Sequence, residues 1–237
     1  MGNVVSDETW SGIAGIGALV EPARRALYLH VAAQDAPVGR EQAAEAVHLP
    51  VHSAKFHLDR LVEEGLLDVE FRRLTGRTGP GAGRPAKLYR RSTAEFTVSL
   101  PPRRYDLAGQ ILASAVDRSM RDGQAVSTAV REAAEESGHE LGSRRPRHKT
   151  EQQRTVETLA TQGYEPRTSP DEIVLTNCPF DALARTHTEL VCGMNEAYVT
   201  GVIDGLGCKH LQAHLEPHPE LCCVRVRDRR SSSPHDV

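Results

Sequence analysis

Residues 21–91 set three helical patterns directly before a glycine- and proline-rich segment that carries positive charge and no acid, and few folds accommodate that order. Pro22 suits the first position of a helix, on which Ala26, Leu27, Leu29, His30 and Val31 follow. Gly39 and Arg40 open a second, short helix whose Ala43, Ala44 and Val47 turn inward. His48, Leu49 and Pro50 make the turn out of it. The spacing then predicts a third helix over 51–64, ended by Gly65. Along it Ala54, Leu58, Leu61 and Val62 recur at the interval of one buried face, leaving His52, Ser53, Lys55, His57 and Arg60 to point elsewhere.

Residues 66–74 and 86–91 read as two strands, with the segment 75–85 between them expected as a mobile loop. From Arg72 to Arg91 there are seven basic side chains, Arg72, Arg73, Arg77, Arg84, Lys87, Arg90 and Arg91. Two short helices with a turn also occur in proteins that never meet nucleic acid, and a charge run is usually a solvated face. The combination of an outward polar helix face and a basic hairpin is what points to double-stranded DNA. The expectation is a winged helix-turn-helix in which Ser53, Lys55, His57 and Arg60 reach bases or phosphates and Arg77, Arg84 and Lys87 serve the wing. One recognition helix covers too few base pairs for useful specificity, so a homodimer on an inverted repeat is expected.

At 237 residues the chain exceeds one such module, and a second domain is expected on size alone. The net charge of −3 requires positive charge to be concentrated locally. No run of about 18 apolar residues and no signal-peptide pattern is present, so the reading is cytoplasmic, without a membrane. The fold class expected is mainly α with α+β. A flexible arm at 1–20 precedes the winged helix at 21–93, a linker and helical dimerisation region at 94–163, a cysteine-bearing α+β sensor domain at 164–226 and a disordered tail at 227–237.

Within the middle region, a helix from about Arg103 carries Leu107, Ile111, Leu112, Ala115 and Val116 as an apolar stripe. Such a stripe is more often core than interface, but a long helix after a winged helix commonly joins two protomers. A second helix is expected over 123–141 and a third over 151–162. A hairpin at 164–167 and 172–176, one helix over 181–206 and strands at 211–215 and 221–226 complete the pattern.

All five cysteines, Cys178, Cys192, Cys208, Cys222 and Cys223, fall in the last 60 residues, and that clustering points to a shared site. In a reducing compartment a disulfide framework is not expected, which leaves metal, iron–sulfur or redox chemistry beside plain burial. Soft thiolates select zinc, copper(I) or iron–sulfur clusters. The wide intervals differ from the paired knuckles of structural zinc sites, so the ligands would be gathered by tertiary folding. Strand alternation would put Cys222 and Cys223 on opposite faces, so that one of them reaches the site easily. An enzyme is not expected: Cys178 with His187 is the best nucleophile–base pair available, and no phosphate loop, acid pair or nucleophile elbow accompanies it. A small-molecule effector pocket with incidental cysteines is the rival binding reading.

The chain resembles the SufR-like iron–sulfur-cluster-sensing repressors, in the broad ArsR/DeoR-like group of winged-helix regulators. The resemblance covers about residues 21–226. It rests on the helix-turn-helix, the wing sequence Gly83-Arg84-Pro85-Ala86-Lys87-Leu88-Tyr89-Arg90, the segment from Pro101 to Tyr105, Asn177-Cys178-Pro179 and Leu221-Cys222-Cys223-Val224. It implies a repressor holding a [4Fe–4S] or [2Fe–2S] cluster through Cys178, Cys192 and Cys222, with zinc as the alternative occupant. Thirteen, fifteen and thirteen residues separate Cys178, Cys192, Cys208 and Cys222, close to but not equal to the family pattern. The fourth ligand therefore stays open among Cys208, Cys223, a histidine (His187, His210, His214 or His218), a glutamate and a small molecule.

Overall fold

The computed structural model describes residues 7–73, 85–145, 149–218 and 220–230. The chain is mixed α/β with two small antiparallel sheets and forms two compact units, Val5–Val98 and Ser99–Val237. Among the described residues no helix is long and apolar enough to cross a membrane.

The first unit opens with α1 (Asp7–Ala18), where the sequence predicts a flexible arm over 1–20. Glycine explains the difference. A Cβ at Gly15 would stand 2.5 Å from the Phe96 ring, and one at Gly12 3.1 Å from Val98, so these glycines let the helix lie directly on the 96–98 segment. Their low helix propensity hides α1 from local reading, and packing overrides it. In α2 (Pro22–Ala32) Pro22 takes the first turn, and the Glu21 carboxylate caps it by accepting from the Arg24 N–H at 2.7 Å.

A two-residue strand, β1 (Val38–Gly39), precedes α3 (Arg40–Ala46), and α4 (Val51–Glu63) follows a turn at His48, whose φ is 56°. Leu49 N–H donates to Ala44 O at 2.9 Å and closes that turn. Ala54, Leu58 and Leu61 are fully buried with Leu27, Val31, Ala43 and Ala44, as the periodicity predicts, and each large aliphatic side chain contributes about 1.5–3 kcal/mol by burial. Gly65, at φ 74°, ends α4. Strands β2 (Leu67–Arg72) and β3 (Ala86–Arg91) pair antiparallel with Leu67 opposite Arg91, and β1 joins β3 on its other edge.

The second unit begins with α5 (Tyr105–Asp122), α6 (Val126–Ser143) and α7 (Glu151–Thr161). Strands β4 (Pro166–Thr168) and β5 (Glu172–Leu175) follow, then α8 (Asp181–Thr186), α9 (Thr188–Gly205), β6 (Leu211–Leu215) and β7 (Val224–Asp228). The sheet is antiparallel throughout, in the order β4-β5-β7-β6. Region 94–163 does not stand apart from 164–226: Leu107, Ala108, Ile111 and Ala115 of α5 share one core with Ile173, Val191, Val224 and Val226. The α5 stripe expected at a dimer interface is thus largely inside its own chain, and only Val116 of that set is exposed.

Three further boundaries differ from expectation. Gly123, at φ 68°, closes α5 rather than opening α6. The helix expected over 181–206 breaks at His187, where the Thr186 and Thr188 hydroxyls donate back to carbonyls of the preceding turn. The last strand starts at Val224 and runs on to Asp228, into the tail expected to be disordered from 227.

Helix α9 is buried along most of its length and lies against α6 at backbone distance. Gly138 and Gly142 of α6 face Gly201 and Gly205 of α9. A Cβ at Gly138 would come within 2.1 Å of Tyr198 O, and one at Gly201 within 2.1 Å of Glu135 O. Both clashes are with backbone, which cannot swing aside. Gly201→Ala is therefore expected to cost about 1–3 kcal/mol or more, whereas Gly109→Ala, on α5 with nothing near its Cβ, should gain up to about 1 kcal/mol. Urea unfolding checks both, and equal stability of the two variants would contradict the close-packing account.

Candidate functional site

Four of the five cysteines meet in the second unit. Cys178 follows β5, Cys192 lies on α9, and Cys222 and Cys223 sit just before β7. The thiol of Cys178 interacts with that of Cys222, Cys222 with Cys223, and Cys223 with Cys192. Cys222 and Cys223 both take part, against the strand-alternation expectation, because the regular strand begins only after them. Backbone bonds hold this bend: Cys222 N–H donates to Leu175 O at 3.0 Å, and Cys223 O accepts from Glu216 N–H at 2.7 Å.

Cys208 stays outside the group. It lies after α9 against α7, with its sulfur 3.7 Å from both the Thr155 hydroxyl and an Arg154 guanidinium nitrogen. The fourth thiol brought to the group is thus Cys223. His187, His210 and His218 are exposed and His214 is half-buried. Among the described residues no set of three or more His, Cys, Asp or Glu side chains is arranged to hold a metal ion.

The surroundings of the thiols are dry. Cys192, Cys208, Cys222 and Cys223 are buried and Cys178 partly so. Contact with Cys222 and burial push the Cys178 thiol well above the ordinary range. For Cys222, contact with Cys178 lowers the value, but contact with Cys223 and burial outweigh it and push it up to about 12. Burial also raises Cys192, partly offset by Cys223. Crowded sulfurs in a low-dielectric site resist ionisation unless a cation shares the space. Thiolates are the donors that thiophilic cations and clusters select, and binding one to thiols releases protons.

Two polar residues unforeseen from the sequence touch this group. Asn195, three residues beyond Cys192 on the same face of α9, donates from Nδ2 to the Cys222 sulfur at 3.2 Å, and Tyr164 OH donates to Asn195 Oδ1 at 2.6 Å. The Cys192-x-x-Asn195 spacing was the available signal. Beside Cys178, the Arg103 guanidinium donates to Asn177 Oδ1 and, at 3.0 Å, to Cys178 O, and Asn177 Nδ2 donates to Pro102 O at 3.1 Å.

In the first unit the residues expected at DNA are placed unequally. Lys55 is exposed on α4 and Ser53 half-exposed, next to exposed His52 and Phe56. His57 turns toward the start of α2, with Nδ1 3.6 Å from the Glu21 carboxylate. Arg60 forms ion pairs with Glu63 and Glu64 of its own helix. Lys87 is held 2.5 Å from Asp59 Oδ1 and over the Tyr89 ring, and Tyr89 OH donates to the same carboxylate oxygen at 2.9 Å. Charges neutralised in this way are less available to a polyanion. Arg77 and Arg84 lie outside the described residues.

No protein-family model, curated protein or solved structure matches the chain.

Partial burial pushes the Asp59 carboxyl up, but hydrogen bonds from Lys87 and Tyr89 outweigh it and hold it below the ordinary value. A depressed carboxylate stabilises the fold above its unfolded pKa, about 3.9, and that contribution is lost as pH falls through the folded value. Asp59→Ala should therefore cost about 1–3 kcal/mol at neutral pH, and the gap from wild type should narrow below about pH 4. Urea unfolding at pH 7 and pH 3 checks this; a gap that does not change with pH would contradict it.

Proposed function

We propose that this chain is a DNA-binding transcriptional regulator, in the manner of a SufR-like repressor, whose operator affinity depends on what the thiol site holds. The observation that carries the reading is the convergence of Cys178, Cys192, Cys222 and Cys223 from three separate segments of one unit. In the other unit, α3, the His48 turn, α4 and the β2–β3 hairpin occur in the order of a winged helix-turn-helix. On this reading the protein acts as a homodimer on an inverted repeat, with α4 entering the major groove and Ser53 and Lys55 meeting DNA.

The four thiols would hold an iron–sulfur cluster, [4Fe–4S] or [2Fe–2S], with zinc as the alternative occupant of the same sulfurs. A bound cluster supplies one-electron chemistry and sensitivity to oxidants. The chain's own part is to keep water away through burial by α9 and β7, to orient Cys222 through Asn195, and to tie the loop bearing Cys178 to Arg103.

Regulation requires the occupant to favour one DNA-binding state over the other, and a coupling of about 1–3 kcal/mol changes affinity about 5–150-fold. Selection from random duplex DNA, followed by binding of loaded, stripped and Cys178→Ala protein to the selected site, tests the proposal. The expected result is a sequence preference at physiological salt, a difference of that size between loaded and stripped protein, and a folded Cys178→Ala variant that binds like the stripped form. Equal affinity for shuffled DNA sinks the regulator reading; equal affinity of loaded and stripped protein sinks the sensor.

A further inference from the structure

We infer that Asn195 and Tyr164 are a positioning pair for the Cys222 sulfur and set how tightly the thiol site holds a soft cation. This rests on the reading of that site as a ligand set. Both side chains are fully buried in a largely apolar core of aliphatic residues, Phe180, Met194, Tyr198 and cysteines. A buried amide is unfavourable unless its donors and acceptor are used, and an aliphatic residue at 195 would fill the same face of α9 with less risk. The polar choice therefore has a local use.

That use is written in the two hydrogen bonds. The Tyr164 hydroxyl commits its hydrogen to Asn195 Oδ1 at 2.6 Å, which turns the amide nitrogen toward the Cys222 sulfur at 3.2 Å. The tyrosine thus selects which end of the amide faces the thiols. The Cys222 main chain is held separately, its N–H donating to Leu175 O at 3.0 Å. An N–H aimed at a ligand sulfur orients its lone pairs and tunes its donor strength, as outer partners do at metal sites generally. Cys192 and Asn195 share one helix face, so a single element supplies a thiol and the donor that orients another.

The test is Cd²⁺ titration of the metal-free full chain, comparing wild type, Tyr164→Phe and the double variant Asn195→Leu/Tyr164→Phe, with urea unfolding in parallel. Removing both polar partners together leaves no orphan and is expected to keep the unfolding midpoint near that of wild type. The double variant should nonetheless bind Cd²⁺ about 10–100-fold more weakly, with an altered sulfur-to-cadmium charge-transfer absorption. Tyr164→Phe alone should fall between the two. A purely structural role predicts recovery of affinity along with stability, so wild-type affinity in either variant overturns the inference. If the double variant does not fold, Tyr164→Phe decides the matter by the same criterion. A wild type that takes up no Cd²⁺ overturns the ligand-set reading itself, and the inference with it.

Discussion

Helix α9 can approach α6 at backbone distance only because Gly138, Gly142, Gly201 and Gly205 carry no Cβ, and the cysteine-bearing unit is arranged around that contact. Close approach turns the two helices into one rigid layer, with weak Cα–H···O contacts and dense dispersion replacing side-chain interdigitation. The opposite face of α9 carries Cys192, Asn195 and Val199, all buried. Its axial position and rotation are thereby set. Cys192 and Asn195, which share a helix face, are carried to the thiol group by that rotation.

Around this spine the chain gathers four largely buried thiols. The thiols of Cys178, Cys192, Cys222 and Cys223 lie together largely away from solvent, and no disulfide joins them. Arg103 does lie near Cys178, but it is spent on Asn177 and on the Cys178 carbonyl rather than on sulfur. Cys208, set apart against Thr155 and Arg154, serves as the internal contrast.

Much of the first unit was legible in the sequence, because α2, α3 and α4 follow a 3.6-residue apolar period and are bounded by Pro22, His48 and Gly65. Strand β3 and helix α7 also fall where expected, and the structure shows α7 opening at a Thr150–Gln153 capping box. What escaped is tertiary. Helix α1 depends on Gly12 and Gly15 fitting against Val98 and Phe96, and no propensity reports that. The pairing of Lys87 with Asp59, 28 positions away, removes a charge that the wing's composition seemed to offer. Clustering of the cysteines was visible, but the choice of Cys223 over Cys208 was not. It depends on β7 starting at Val224, so that both Cys222 and Cys223 lie in a bend where alternation does not apply.

On the proposed reading, Cys178, Cys192, Cys222 and Cys223 act as one ligand set from which Cys208 is excluded. The most direct measurement is iron, acid-labile sulfide and zinc per chain after isolation without oxygen, for wild type, C208S and C222S. The expected result is iron with sulfide, or zinc, in fixed proportion to chain in wild type and in C208S, and its loss in a folded C222S protein. Wild type carrying neither metal, or C222S retaining what C208S loses, would contradict it.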